Sequence, residues 1–346
     1  MIDFIIVGGG IAGISFAETL FKEGKSFIVF SDKSQNSSLV AAGIYNPVIL
    51  KRFSITQDAK EHLEYIRPFY KAIEDRLSVT LDFPVPIHRR FTNIEEQNSW
   101  FGAMDKPRLE PFLSPDIVHA NYEGLSTPFG LGRVRHTGYV DTQALVQHYH
   151  AFLTSEKKLL TETFDYDKLL IEENSVSYDN LTAKHIVFAE GFGLKANPYF
   201  NYHPLDGTKG ELLLIKAPDL KLDIAINSGV FILPLGNGFF KVGATYEWDD
   251  KTAIPTAAGK AELIEKLEAI IVCQYEVVDH FAGVRPTVKD RKPLVGTHHI
   301  HKNVHLLNGL GTRGVMLGPP LAAELYKSIV EGVPVKKEIN FNRFKI

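Results

Sequence analysis

The chain of 346 residues has a single cysteine, Cys273. One thiol makes neither an intramolecular disulfide nor a thiolate metal site, so nothing here calls for an oxidising compartment. Neither sign of charge is in excess: 38 Lys and Arg against 41 Asp and Glu leave a formal net charge of -3. Proteins that live on nucleic acid or anionic membrane carry a basic surplus, so neither partner is expected, although these totals leave room for a local basic patch. No apolar run approaches the ~18 residues of a membrane-spanning helix. Met1 is followed almost at once by Phe4-Ile5-Ile6-Val7 and then glycines, which leaves no room for a secretory leader, and a cytoplasmic location is expected. What remains is 45% hydrophobic and 23% charged, the composition of a soluble globular chain with length for about two domains. Oligomeric state is not legible.

The first thirty residues are the most informative. Phe4 to Val7 is a short β-branched run fit for a strand buried on both faces. Gly8-Gly9-Gly10-Ile11-Ala12-Gly13 follows directly. From Ile11 to Glu23 the pattern is helical, with Gly13, Phe16, Ala17 and Leu20 at i, i+3, i+4 and i+7 and Gly24 at the C-cap. Phe27 to Phe30 is a second strand. In this strand–turn–helix–strand setting each glycine of Gly8-x-Gly10-x-x-Gly13 has work to do. The first allows the turn, the second lets the backbone approach a pyrophosphate, and the third lets the helix pack on the sheet with its N–H groups facing phosphate. A plain glycine turn is the competing reading. At the end of the second strand, where an acidic residue would bind ribose hydroxyls, stand Ser31 and then Asp32. Either Asp32 takes that role after a register shift or Ser31 makes a neutral hydrogen bond.

Further along, a helix is expected over 55–77. An extended, edge-like segment is expected over 84–91 because of its prolines, and a helix from Asp141, as N-cap, to Leu153. Short strands should follow over 158–189, and strands alternating with turns over 211–246, where Gly236-Asn237-Gly238 signals a hairpin. An amphipathic helix is expected over 256–272, a strand over 304–308, and a last helix ending near Val330. Pro319 and Pro320 disfavour a helix interior, so that helix is expected to open at them rather than at Gly314. No linker divides the chain, so the two domains should interleave.

Several segments resemble, in order and spacing, the D-amino-acid oxidase and glycine oxidase family of FAD-dependent oxidoreductases. They are the glycine motif, Ala41-Ala42-Gly43-Ile44-Tyr45-Asn46-Pro47, Val187-Phe188-Ala189-Glu190-Gly191, and Phe231-Ile232-Leu233-Pro234 with Val242 to Glu247. Ala282-Gly283-Val284-Arg285-Pro286-Thr287 to Asp290, Pro293 to Gly296 and Asn308 to Gly314 complete the set. The resemblance spans nearly the whole chain. It implies a mixed α/β fold: an FAD-binding Rossmann-like domain (1–78, 136–200, 278–346) interleaved with a smaller antiparallel-sheet substrate domain (79–135, 201–277). FAD would touch Gly8, Gly10, Ile11, Ala12, Gly13, Ser31 or Asp32, Ala42, Gly43, Gly191, Gly311, Thr312, Arg313 and Gly314. The last four would bring amides and a positive helix end to the pyrimidine end of the flavin. No histidine lies in 34–47 and Cys273 lies outside the C-terminal motif, so FAD is expected to be non-covalent.

In the resemblance Arg285 matches the arginine that grips the substrate carboxylate, a task suited to a bidentate guanidinium. Phe231 and Tyr246 match pocket-lining positions and could equally be core aromatics. The implied activity is oxidation of the C–N bond of a small amino acid or N-substituted glycine by hydride transfer to flavin N5. The imine would be hydrolysed, with oxygen as acceptor. A 2-hydroxy-acid dehydrogenase would need a histidine base such as His88 or His119. The C-terminal segments through Pro319-Pro320-Leu321-Ala322-Ala323-Glu324-Leu325 also resemble the flavin domain of the tRNA 5-methylaminomethyl-2-thiouridine biosynthesis bifunctional enzyme. In that case a carboxymethylaminomethyl group on a wobble uridine would be the substrate, and the acidic balance offers little to attract tRNA. The run His298-His299-Ile300-His301 reads as a turn rather than a metal site, and no metal is expected.

Overall fold

The computed structural model describes residues 1–56 and 58–344. β1 (Ile2–Val7) lies parallel to β2 (Phe27–Phe30) on one side and to Leu181–Phe188 on the other. Leu159–Leu160 extends this parallel array past β2, and Val304–Asn308 extends it past Leu181–Phe188. Side chains of β1 alternate between two cores. Phe4 and Ile6 join Phe16, Leu20 and Leu321; Ile5 and Val7 join Phe30, Ile186 and Phe188. A strand covered on both faces has no polar side, which is why its sequence is an unbroken apolar run. α1 (Ile11–Lys22) follows β1 through the glycine turn and gives way to Gly24 at φ +63°. It packs along the last helix, Gly314–Val330.

A second sheet of eight strands is almost wholly antiparallel. Its order is Glu276–Arg285, Thr208–Lys216, Phe239–Gly243, Phe231–Gly236, Ala225–Asn227, Ile87–Arg90, Leu131–Val134, Leu113–Val118. Strands from widely separated stretches of chain thus meet in one sheet. Its outer face buries Leu213, Ile215, Ile232 and Val242 against Leu263 and Leu267 of the helix Ala257–Glu268. The expected hairpin is present, with Asn237 at φ +53° and Gly238 at φ +75°. Both central residues are left-handed, the requirement of the turn whose twist matches the flanking strands. The helix Thr142–Ser155 is capped by Asp141, whose side chain accepts from the Ala144 amide.

Four expectations are corrected. The helix expected over 55–77 runs Ala59–Leu77. Ser54–Ile55 instead pairs with Val48–Ile49 as a small hairpin, and Gln57 lies outside the described residues. The segment over 84–91 is not an edge: Ile87–Arg90 sits between two partners, because Pro84 and Pro86 precede the strand and cost it no ladder bond. The helix expected over 256–272 ends at Glu268, with Thr256 as its N-cap, and Ile270 and Ile271 are buried beyond its end. The last helix opens at Gly314 with Pro319 and Pro320 inside it. Pro319 has no N–H to offer the Val315 carbonyl four residues back. The hydroxyl of Tyr70, fully buried on the helix Ala59–Leu77, donates to that carbonyl at 2.8 Å instead. Residues 298–301 are a turn in which His298 Nδ1 accepts the amides of Ile300 and His301. Among the described residues no cluster suits a metal ion, and no helix is long and apolar enough to cross a membrane.

Two predictions follow from this packing. Tyr70→Phe should cost about 1–2 kcal/mol in urea unfolding, because a buried carbonyl loses its donor while the ring is kept. An unchanged midpoint would mean the helix tolerates its prolines without that bond. The second concerns pH. Burial pushes His88, His203 and His298 down to about 4, and both ring nitrogens of His203 lack a partner. The unfolded chain takes up protons near pH ~6.5 that the folded state refuses. Stability contributed by these rings is therefore present above that pH and is lost as pH falls towards 4. His203→Phe should flatten the loss, recovering about 1–2 kcal/mol of the difference between unfolding free energies at pH ~8 and pH ~5.

Candidate active site

One cavity of about 1380 Å³ lies between the two sheets. At one end it is lined by Gly8, Gly10, Ile11 and Ala12, by Ser31 and Asp32 after β2, and by Glu190 and Gly191 after Leu181–Phe188. Ala42 and Gly43 line its middle, Gly311, Thr312, Arg313 and Gly314 lie against it from the last helix, and Phe231, Tyr246 and Arg285 line the part made by the second sheet. Of the expected residues, Gly13 alone lies behind this wall. A Cβ there would stand 1.8 Å from the Gly8 carbonyl oxygen, so its glycine lets α1 start directly against β1. Gly8 has φ +111°, and a Cβ on it would stand 2.4 Å from the Ala189 carbonyl.

The donor set of the first end fits a pyrophosphate. The helices beginning at Ile94, Thr142 and Ala257 have side-chain caps from Asn93, Asp141 and Thr256. α1 and Gly314–Val330, whose N-termini open on the cavity, have no side-chain cap from the preceding residue and no acid in the first turn. The Ile11 amide donates to Ser38 Oγ at 3.2 Å; the other free amides and the dipoles are left for an anion from outside the chain. Asp32 accepts the Ser34 amide at 2.9 Å. Burial raises its carboxyl, but hydrogen bonds from Ser34 and Thr163 outweigh this and hold it below the usual range.

Three residues here escaped the sequence. Glu190 is buried and accepts from Tyr166 Oη at 2.5 Å and Asn197 Nδ2 at 2.7 Å. Burial, opposed by these donors, pushes it up to about 7. His150, on the helix Thr142–Ser155, donates from Nε2 to the Gly9 carbonyl at 2.7 Å. Lys241 does not itself line the cavity; it reaches the carbonyl of Ala41, which does, at 3.4 Å, and burial lowers its pKa. Of these, only Glu190 left a trace in the sequence, as an acid at the end of the apolar run Val187-Phe188-Ala189.

Arg285 ends the strand Glu276–Arg285. Its guanidinium lies over Gly210, where a Cβ would stand 1.9 Å from Nη2. Nη1 donates to the carbonyls of Lys209 at 3.3 Å and Thr245 at 3.2 Å, and the Tyr246 ring centroid is 4.6 Å away. Burial pulls its pKa down, yet arginine keeps its charge. No carboxylate pairs with it among the described residues. Arg313 is likewise desolvated, and its hydrogen bond is to the Arg291 carbonyl at 3.3 Å. Phe231 is half-buried, opposite Gly243 in the sheet, and Tyr246 is exposed at the cavity edge. Neither His88 nor His119 lines the cavity, and Cys273 lies apart from it beside Gly124.

Residues 3–327 match the family model described as DAO, FAD dependent oxidoreductase. The chain belongs to the DAO family of FAD-dependent oxidoreductases. Its relatives include a glycine oxidase of Bacillus licheniformis, 24% identical over 97% of this chain and 95% of the relative. The glycine oxidase structure from Bacillus cereus superposes with a TM-score of 0.77 at 20% identity, covering 97% of each chain. The iminodiacetate oxidase from Chelativorans sp. superposes with 0.77 at 18% identity, covering 97% of this chain and 98% of that one. This DAO-family chain is therefore an FAD-binding, amino-acid-oxidase-like oxidoreductase with a Rossmann-like parallel sheet.

The cradle makes a further prediction. Within 4 Å, a Cβ at Gly10 meets only the Ser38 side chain, its hydroxyl at 3.0 Å and its Cβ at 3.9 Å. Gly10→Leu should therefore fold with a thermal midpoint within a few degrees of wild type, yet purify at least about tenfold poorer in FAD, because the side chain fills the pyrophosphate approach. Full flavin occupancy would show that the dinucleotide does not pass this turn.

Proposed function

We propose that this DAO-family enzyme oxidises the C–N bond of a small amino acid or N-substituted glycine, with oxygen as electron acceptor. Segments 1–78, 136–200 and 278–346 would form the FAD-binding domain and 79–135 and 201–277 the substrate domain, with the strand Glu276–Arg285 crossing the join. FAD, when bound, supplies the two-electron acceptor. Gly8, Gly10, Ile11, Ala12, Ser31, Asp32, Gly191 and the Gly311–Gly314 turn would hold it.

The observation that carries the reading is the unpaired guanidinium of Arg285. Taking a cation out of water costs several kcal/mol unless an anion answers it. No side chain of the described residues does, so the answering anion belongs to the ligand. A carboxylate held bidentately has its plane and direction fixed, and the α-carbon and amine then face the cavity rather than the arginine. Tyr246 covers the guanidinium from the open side and Phe231 forms an apolar floor. Orientation and exclusion of water do most of what such a reaction asks of the protein. That agrees with the absence, among the described residues, of a histidine–carboxylate pair lining the cavity; the His280–Glu211 pair at 2.7 Å lies on the sheet's other face. An imine product would be hydrolysed in water. Glycine and iminodiacetate, named in two of the similar proteins, both carry a carboxylate one carbon away from an amine nitrogen.

Arg285→Met should retain FAD and lose at least about a hundredfold in the rate at which amino acids or N-alkylglycines bleach the flavin anaerobically. Arg285→Lys should fall between, since an ammonium cannot form the fork. In wild type, amines should bleach the flavin and 2-hydroxy acids should not. Equal bleaching rates in wild type and Arg285→Met would remove the basis of the reading.

A further inference from the structure

On the inner face of the second sheet, Arg89, Asn227, Phe231, Gly243 and Leu212 stand directly opposite one another on successive strands. Arg89, Asn227, Phe231 and Leu212 line the cavity. Two of them are polar, at the end away from Arg285. Arg89 donates from Nε to Glu96 Oε1 at 2.8 Å, with Nη2 on the same oxygen. Glu96 sits in the first turn of the helix Ile94–Met104 and also takes the Thr92 amide at 2.8 Å. The remaining terminal nitrogen, Nη1, donates to Asn227 Oδ1 at 2.9 Å and to the Ser228 carbonyl at 3.3 Å.

This arrangement decides which way the Asn227 carboxamide faces. A guanidinium only donates, so the atom it holds must be the amide oxygen. The nitrogen, with two hydrogens, is turned away from Arg89, and among the described residues no acceptor takes them. Glu96 cancels the charge of Arg89, so this part of the cavity presents oriented neutral donors rather than a cation.

We propose that Asn227 is a specificity residue, a donor subsite for a carbonyl-type oxygen on the far end of the substrate's N-substituent, with Arg89 as its positioning residue. The inference rests on the amine-oxidase reading above and narrows its substrate class. Three strand spacings of ~4.8 Å separate Thr208–Lys216, over which Arg285 lies, from Ala225–Asn227. Arg285 lies over Gly210, two residues (~6.8 Å) along the strand from Leu212 on Asn227's row, so the span is about 16 Å, and ~3 Å at each end for the contacting groups leaves about 10 Å between the carboxylate and the acceptor oxygen. That is about eight bonds, longer than glycine or sarcosine and suited to an extended N-alkylglycine bearing a ketone, amide or ring carbonyl.

The test compares, on the FAD-loaded enzyme, two glycines with N-substituents of one shape. One carries a ketone about eight bonds from the carboxylate; in the other the C=O is replaced by CH–CH3. Wild type should favour the ketone by about tenfold in anaerobic kcat/KM, the worth of one hydrogen bond, and Asn227→Leu should bring the ratio near one. Arg89→Met, which frees the amide to rotate, should lower the ratio as well. A wild-type ratio near one, or a ratio unchanged in Asn227→Leu, overturns the subsite while leaving amine oxidation standing. The same tails on plain carboxylic acids, titrated by their effect on the oxidised flavin spectrum, separate the two ideas. If neither glycine bleaches the flavin, the amine reading falls. A tenfold difference in acid affinity that vanishes in Asn227→Leu then supports the subsite, and equal affinities overturn it.

Discussion

Arg285 carries its charge against the carbonyls of Lys209 and Thr245 with no carboxylate to oppose it. Several of the fold's other enclosed cations are treated differently. Lys209, one residue along the neighbouring strand from Gly210, is fully buried and has Asp250 at 2.5 Å and Glu211 at 3.7 Å. Arg76 is paired with Glu18 and Arg89 with Glu96. Arg90, away from the cavity, is also met only by carbonyls, those of Ser126 and Ala269; Arg285, by contrast, lines the cavity, where an arriving anion can offset its desolvation. The two helix N-termini at the other end of the cavity, without a side-chain cap from their N-cap residues, follow the same logic, with amide dipoles in place of a guanidinium.

Strand periodicity explains how one sheet serves both needs. Along Thr208–Lys216, Lys209, Glu211 and Leu213 face outward, where an ion network and the helix Ala257–Glu268 cover them. Gly210 and Leu212 face the cavity. A side chain at residue 210 would collide with the arginine, so the anchor's position depends on a glycine on the next strand. From Leu212, adjacent strands carry a row through Gly243 and Phe231 to Asn227, so that the cavity face runs from Arg285, two residues off that row, across an apolar floor to a neutral donor.

Much of this was legible in the sequence where the constraint is local. The Gly8–Gly13 turn, the alternation hidden in β1, the Asn237-Gly238 hairpin and the Asp141 cap each depend on residues a few positions apart. The features that escaped depend on partners far along the chain. The last helix keeps Pro319 inside because Tyr70, from another helix, satisfies the Val315 carbonyl. Ile87–Arg90 is central because Ala225–Asn227 and Leu131–Val134 pair with it, and prolines nearby misled only as to its place. Arg285 was found through motif resemblance, but its lack of a counter-ion shows only once the sheets meet. Glu190, Lys241 and the Arg89–Asn227 pair have no local pattern that marks them.

The central claim is that the cavity binds an acid group at Arg285 beside the flavin. The most direct measurement is a titration of the FAD-loaded protein with a small unreactive carboxylic acid and with its uncharged primary amide, following the oxidised flavin spectrum. The account predicts saturable perturbation by the acid, weaker by at least about tenfold for the amide, with that difference lost in Arg285→Met. Equal affinities for acid and amide in the wild-type protein would contradict it.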